Sequence, residues 1–77
     1  MSTRLTGVFR ANVRARMAEL GMNQLSLAAK LNRTQSHVSQ VLSGHRGAGF
    51  STLDAFASAL GVSPTDLLDE KILSKVG

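Results

Sequence analysis

Residues 33–44 read RTQSHVSQVLSG. After Arg33, the side chains that can face outward are Thr34, Gln35, Ser36, Ser39, Gln40 and Ser43, and none is charged. A helix face that only had to stay solvated would carry Glu and Lys. Hydroxyls and carboxamides offer neutral donors and acceptors instead, which suit a surface that itself presents fixed donors and acceptors. Catalytic chemistry finds no comparable footing. Serines are plentiful, yet no motif sets one beside a base and an orienting acid. His37 and His45 have no cysteine and no neighbouring carboxylate pair to complete a metal site. The acids Asp54, Asp66, Asp69 and Glu70 are accounted for by helix starts and solvation. The chain therefore reads as non-enzymatic, without metal or cofactor.

The elements that must position this face follow one another without a strand signal. Helix one is expected from about Thr6 to Leu20, with Phe9, Val13, Met17 and Leu20 on one stripe. Gly21 follows as a left-handed stop. Helix two starts at Asn23 as N-cap and runs to Leu31, burying Leu27, Ala28 and Leu31, with Met22 and Leu27 placed as a hydrophobic staple. Asn32 is one of the few non-glycine residues that accepts a left-handed conformation, and it ends this helix. Helix three has Thr34 as N-cap and Gly44 as stop. Helix four opens on STLD, with Ser51 and Asp54 as a capping box, and buries Leu53, Phe56, Ala57 and Leu60. Helix five opens on SPTD, with Ser63 as cap, Pro64 in the first turn and Asp66 closing the box. Leu67, Leu68, Ile72 and Val76 form its apolar side. The expectation is an all-α domain of five helices over residues 1–77, with a core at 6–70, an arm at 1–5 and a tail at 71–77.

Composition agrees with a small apolar core. The 77 residues include no cysteine, and the aromatic residues are three phenylalanines. No apolar run reaches the length of about 18 that spans a bilayer, and no signal-peptide pattern opens the chain, so a soluble cytoplasmic protein is expected. Charge is lopsided. Residues 1–46 carry seven basic groups against the single acid Glu19, a balance of +6, and residues 47–77 carry two against four, a balance of −2. A one-sided positive charge favours a polyanionic partner.

On a wheel of about 100° per residue, Val38, Val41 and Leu42 share one arc of roughly 100°, and Gln35, Ser39, Ser43, Ser36 and Gln40 fill an opposite arc of roughly 140°. His37 lies on the border. The short LNRT segment between helices two and three fits a helix-turn-helix, whose second helix enters the DNA major groove N-terminal end first. Base edges there present donors and acceptors that Gln reads bidentately and hydroxyls read in either sense. Arg10 and Arg14, one turn apart on helix one, are open to two readings: an approach to DNA or a solvated face.

The stretches LGMNQLSLAAKLNRTQSHVSQVLSG and FASALGVSPTDLL resemble the lambdoid phage repressor and Cro family over about residues 8–70. The resemblance implies a lambda-repressor-like domain that binds a double-stranded DNA operator. Residue by residue, it implies that Gln24 touches a phosphate and braces Gln35. Gln35, Ser36, Ser39 and Gln40 take base-reading positions, and Ser43, His45 and Arg46 grip phosphates. Asn23 and Thr34, at the two helix starts, and Arg33, in the turn, complete the expected phosphate set. Asn32, Arg33 and Ser26 stand where relatives more often have glycine, an apolar residue and glutamate. Pro64 and Leu67 fall where related repressors pair subunits, which implies a homodimer on a near-palindromic operator. Leu67→Asp is accordingly expected to leave the monomer folded and abolish cooperative binding. The same pattern also fits a restriction–modification controller, an antitoxin with a toxin partner, or an interaction module that has lost DNA binding. For the DNA binders a cytoplasmic, nucleoid-associated location is expected.

Overall fold

The computed structural model describes residues 3–45, 47 and 49–72. Four α-helices and one short 3₁₀ helix follow in order among them: α1 Thr3–Leu20, α2 Gln24–Leu31, α3 Gln35–Ser43, α4 Phe50–Leu60 and a 3₁₀ helix Pro64–Leu68. Every element contributes to one apolar cluster. Phe9, Val13 and Met17 of α1 meet Leu27 and Ala28 of α2, Val38, Val41 and Leu42 of α3, Phe56, Ala57 and Leu60 of α4, and Leu67. The rings of Phe9 and Phe56 cross at 58° with centroids 5.6 Å apart, the tilted arrangement that aromatic quadrupoles favour. No helix among the described residues is long and apolar enough to cross a membrane.

The local signals at the centre of the chain are realised closely. Asn23 caps α2, its Oδ1 accepting from the backbone N–H of Ser26 at 2.8 Å and from the Ser26 hydroxyl at 2.9 Å. Ser26 thus supports the cap without the glutamate of a full capping box. Asn32 takes the left-handed conformation at φ 56°. The Arg33 N–H then reaches the carbonyl of Ala28 at 3.0 Å, which closes the Schellman turn. α3 begins on Thr34, whose Oγ1 accepts from the His37 N–H at 3.1 Å.

Four expectations are corrected. Helix one starts at Thr3, ahead of Thr6, so the expected arm 1–5 is largely helical from its third residue. Leu20, which the stripe assigned to the core, stands 44% exposed, and Val8, outside that stripe, is fully buried. α4 starts at Phe50 with Gly49 as N-cap, so Ser51 lies inside the helix and forms no capping box with Asp54. The fifth helix is a 3₁₀ helix of five residues. Its Ser63 N–H does donate to Asp66 Oδ2 at 3.1 Å, as the SPTD pattern implies. Its continuation as an α-helix is blocked by competing bonds. Asn12 Nδ2 takes the carbonyls of Leu67 and Asp69 at 3.1 and 3.0 Å, and the Lys71 N–H turns to Asp69 Oδ1 at 2.9 Å. The expected position of Val76 and the rest of the tail from residue 73 lie outside the described residues.

α1 is the element on which three of the others end. Asn12 holds the 3₁₀ helix, and Arg16 Nε donates to the Leu60 carbonyl at the end of α4 at 2.9 Å. Arg14 Nη2 donates to the Leu42 carbonyl at the end of α3 at 3.0 Å. Near the start of α1, Arg4 pairs with Glu70 at 2.7 Å, both side chains well exposed. The hydrogen bond and then the charge of Glu70 raise the Arg4 pKa above its ordinary value. Exposed pairs of this kind contribute little, whereas part-buried carbonyls left without a donor cost far more. Asn12→Ala is therefore expected to destabilise the fold by about 1–3 kcal/mol, read as a lower thermal midpoint. Arg4→Ala should leave the midpoint almost where it was.

Candidate nucleic-acid interface

α3 carries two faces that its sequence periodicity separates. Val38, Val41 and Leu42 are buried, while Gln35, Ser36, Ser39, Gln40 and Ser43 are exposed. The helix packs against α2, and the small Ala28, 2% exposed, lets the two approach. A helix starting on a hydroxyl cap presents its unpaired first-turn amides and a partial positive charge at that end. The reading face and the turn therefore share one surface. Asn32, Arg33, Thr34, Ser36, His37 and Gln40 line a shallow concavity between the turn and the first two turns of α3. Gln35 and Ser39 lie on the other flank of the same exposed arc.

The residues expected at phosphates are distributed around that surface. Asn23 and Thr34 are exposed N-caps whose side-chain oxygens are occupied by backbone amides, which leaves the Asn23 Nδ2 as a donor. Gln24 is half-buried at the start of α2, and among the described residues it makes no hydrogen bond to Gln35. The expected brace between these two is not formed in the free protein. Arg33 is exposed in the turn. At the far end of α3, the Ser43 hydroxyl bonds His45 Nδ1 at 2.7 Å and reaches the Gln40 carbonyl at 3.2 Å. This joins Ser43 and His45 in one polar unit. Arg46 lies outside the described residues.

Electrostatics favour an anion over this whole region. No acidic residue stands between Glu19 and Asp54, a span that contains all of α2, the turn and α3. Among the described residues, Lys30 and Arg33 have no acidic partner, whereas Arg4 and Arg16 are paired with Glu70 and Glu19. No group of three or more metal-ligating side chains converges among the described residues.

Two expectations change. Leu67 is 2% exposed and belongs to the core, so its side chain cannot face a second subunit, and Leu67→Asp would bury a charge and unfold the domain. Pro64 is half-buried beside it. Arg14, which the sequence left between a DNA contact and a solvated face, is bonded within the protein to the last turn of α3. A donor–carbonyl pair separated by 28 residues leaves no periodic signal in a sequence, so this role was not legible there.

Comparison with known proteins agrees with this geometry. A family model described as helix-turn-helix matches residues 13–67, most of the chain. The chain belongs to this family, of the Cro and C1 type, whose members are DNA-binding transcriptional regulators. A solved structure of a hypothetical transcription factor, NHTF, from Neisseria superposes with a TM-score of 0.82 at 27% identity, covering 95% of this chain and 85% of that one. The clp gene regulator ClgR from C. glutamicum superposes with a TM-score of 0.78 at 22% identity, covering 95% and 94%, and is similar in fold. No curated protein matches the chain in sequence.

The cap on α3 can be tested without DNA. Thr34→Ala removes the acceptor for the His37 N–H and is expected to cost about 1 kcal/mol in chemical denaturation. Thr34→Ser keeps the hydroxyl and should restore most of that loss.

Proposed function

We propose that the protein is a small Cro-like repressor that occupies a near-palindromic operator as a homodimer, with α3 in the major groove. The observation that carries this reading is the neutral polar face of α3, set in a stretch of chain without an acid. Gln35, Ser36, Ser39 and Gln40 read base edges. Gln is the residue suited to adenine N6 and N7, and the serines adapt to either donor or acceptor. Asn23, Gln24, Arg33, Thr34, Ser43 and His45 set the register by holding phosphates, and Arg46 joins them on sequence grounds. The acid-free surface supplies the long-range attraction that brings the duplex to it. A cytoplasmic, nucleoid-associated location belongs to the same reading.

A single recognition helix reads too few base pairs to find one site in a genome. A two-fold dimer doubles the contacts and spaces the helices about 34 Å apart, one turn of DNA. With Leu67 committed to the core, the dimer contact requires another apolar group. Phe50, the first residue of α4, is 89% exposed, the most exposed large apolar side chain among the described residues. It adds nothing to the core and is available to a second copy.

Gln35→Ala is expected to weaken operator binding by about 1–3 kcal/mol while leaving affinity for random duplex unchanged. An equal loss on both would remove Gln35 from the readers. Arg33→Ala should weaken binding to all sequences alike and lower the slope of log affinity against log salt by about one unit. A slope that stays put would place this guanidinium away from the backbone. Phe50→Ser should preserve helicity and thermal midpoint but abolish cooperative filling of two half-sites in a footprinting titration. Unchanged cooperativity would rule Phe50 out of the dimer contact.

A further inference from the structure

Arg10 and Arg14 are the two α1 guanidinium groups that converge on the last turn of α3. Arg14 Nη2 donates to the Leu42 carbonyl at 3.0 Å. Arg10 lies over Gly44, the left-handed residue at φ 88° that ends α3. A Cβ at Gly44 would collide with Arg10 Nη1 and stand 3.3 Å from its Cζ, so the missing side chain is what makes room for the guanidinium. The last carbonyls of a helix have no partner within it, and its C-terminal end carries a partial negative charge. Arg14 supplies a donor, and the charges of Arg14 and Arg10 together suit the negative end of the helix; a charged donor makes the stronger hydrogen bond.

The rest of α3 is held differently. Its N-terminal end is fixed by the Asn32 turn and the Thr34 cap, and its inner face packs against α2. Its far end is seated by Val41 and Leu42 in the core, and the Arg14 bond adds a polar tie there that orients the last turn.

We propose that Arg14, backed by Arg10, is a positioning residue for DNA reading: it sets the angle at which α3 projects from the body, and so whether Ser39, Gln40 and Ser43 reach the same base steps as Gln35. The proposal rests on the reading of α3 as the recognition helix. Base readout tolerates displacements of only about half an ångström, so a small change in angle removes specific contacts first. Phosphate attraction, which acts over longer range, survives it.

The test compares wild type with Arg14→Met on an operator obtained by selection and on random duplex, each across a salt series. The expected result is a loss of about tenfold on the operator, affinity for random duplex within about twofold of wild type, and an unchanged salt slope. In the free protein, hydrogen exchange at the amides of the last turn of α3 should quicken, while the amides of its first turn keep their protection. Equal losses on both duplexes with the slope lower by about one would make Arg14 a phosphate contact and overturn the proposal. Equal losses without a slope change would make it a general stability effect, and unchanged operator affinity would leave it no role; either also overturns the proposal. Should Arg14→Met fail to fold, Arg14→Lys, which keeps a charged donor on a similar stem, carries the same comparison with a smaller expected loss. If wild-type protein binds no duplex at all, the reading of α3 fails and takes this proposal with it. That outcome is distinguishable from one in which wild type binds and the variant matches it.

Discussion

The carbonyls at the ends of short helices must find donors, and in this protein one helix supplies them to three of the other elements. α1 presents Val8, Phe9, Val13 and Met17 to the core, and from flanking positions it sends Asn12, Arg14 and Arg16 to the carbonyls that end the 3₁₀ helix, α3 and α4. A domain of this size has little apolar surface to spend, so part-buried carbonyls without partners would erode a narrow margin of stability. Long polar side chains solve this economically. Their stems cover the apolar surface that their heads reach across.

This arrangement frees α3 for another task. Because its inner face is apolar and its end is held from α1, the outward side chains of α3 are not needed to fill the core. Neutral hydrogen-bonding groups can then occupy that face without a cost to folding. The charge that a polyanion requires is displaced to the surroundings: Lys30 and Arg33 flank the turn, and no acid intrudes between Glu19 and Asp54. Reading groups and attracting groups are therefore separate residues, as a helix-turn-helix protein requires.

What was legible in the sequence was local. The caps Asn23 and Thr34, the left-handed Asn32 and the alternation of Val38, Val41 and Leu42 with polar residues each depend on neighbours within about one helical turn. What escaped depends on distant partners or on competition. Ser51 and Asp54 have the spacing of a capping box, yet the chain enters α4 two residues earlier, with Gly49 as N-cap and Phe50 as first residue, whose ring stays exposed. The SPTD start is equally sound, but Asn12 claims the carbonyls that a longer helix would need. Leu67 resembles an interface residue by position and is a core residue by packing. The bonds of Arg14 and Arg16 span 28 and 44 residues, which no periodicity reveals.

The central claim is that the neutral face of α3 reads bases. Selection of duplexes bound by the wild-type protein from a random library tests it most directly, since binding and site symmetry are read together. The account predicts enrichment of a near-palindromic motif with two half-sites about 10 base pairs apart, centre to centre. Recovery of duplexes with no shared sequence, bound at the affinity of the starting library, would contradict it.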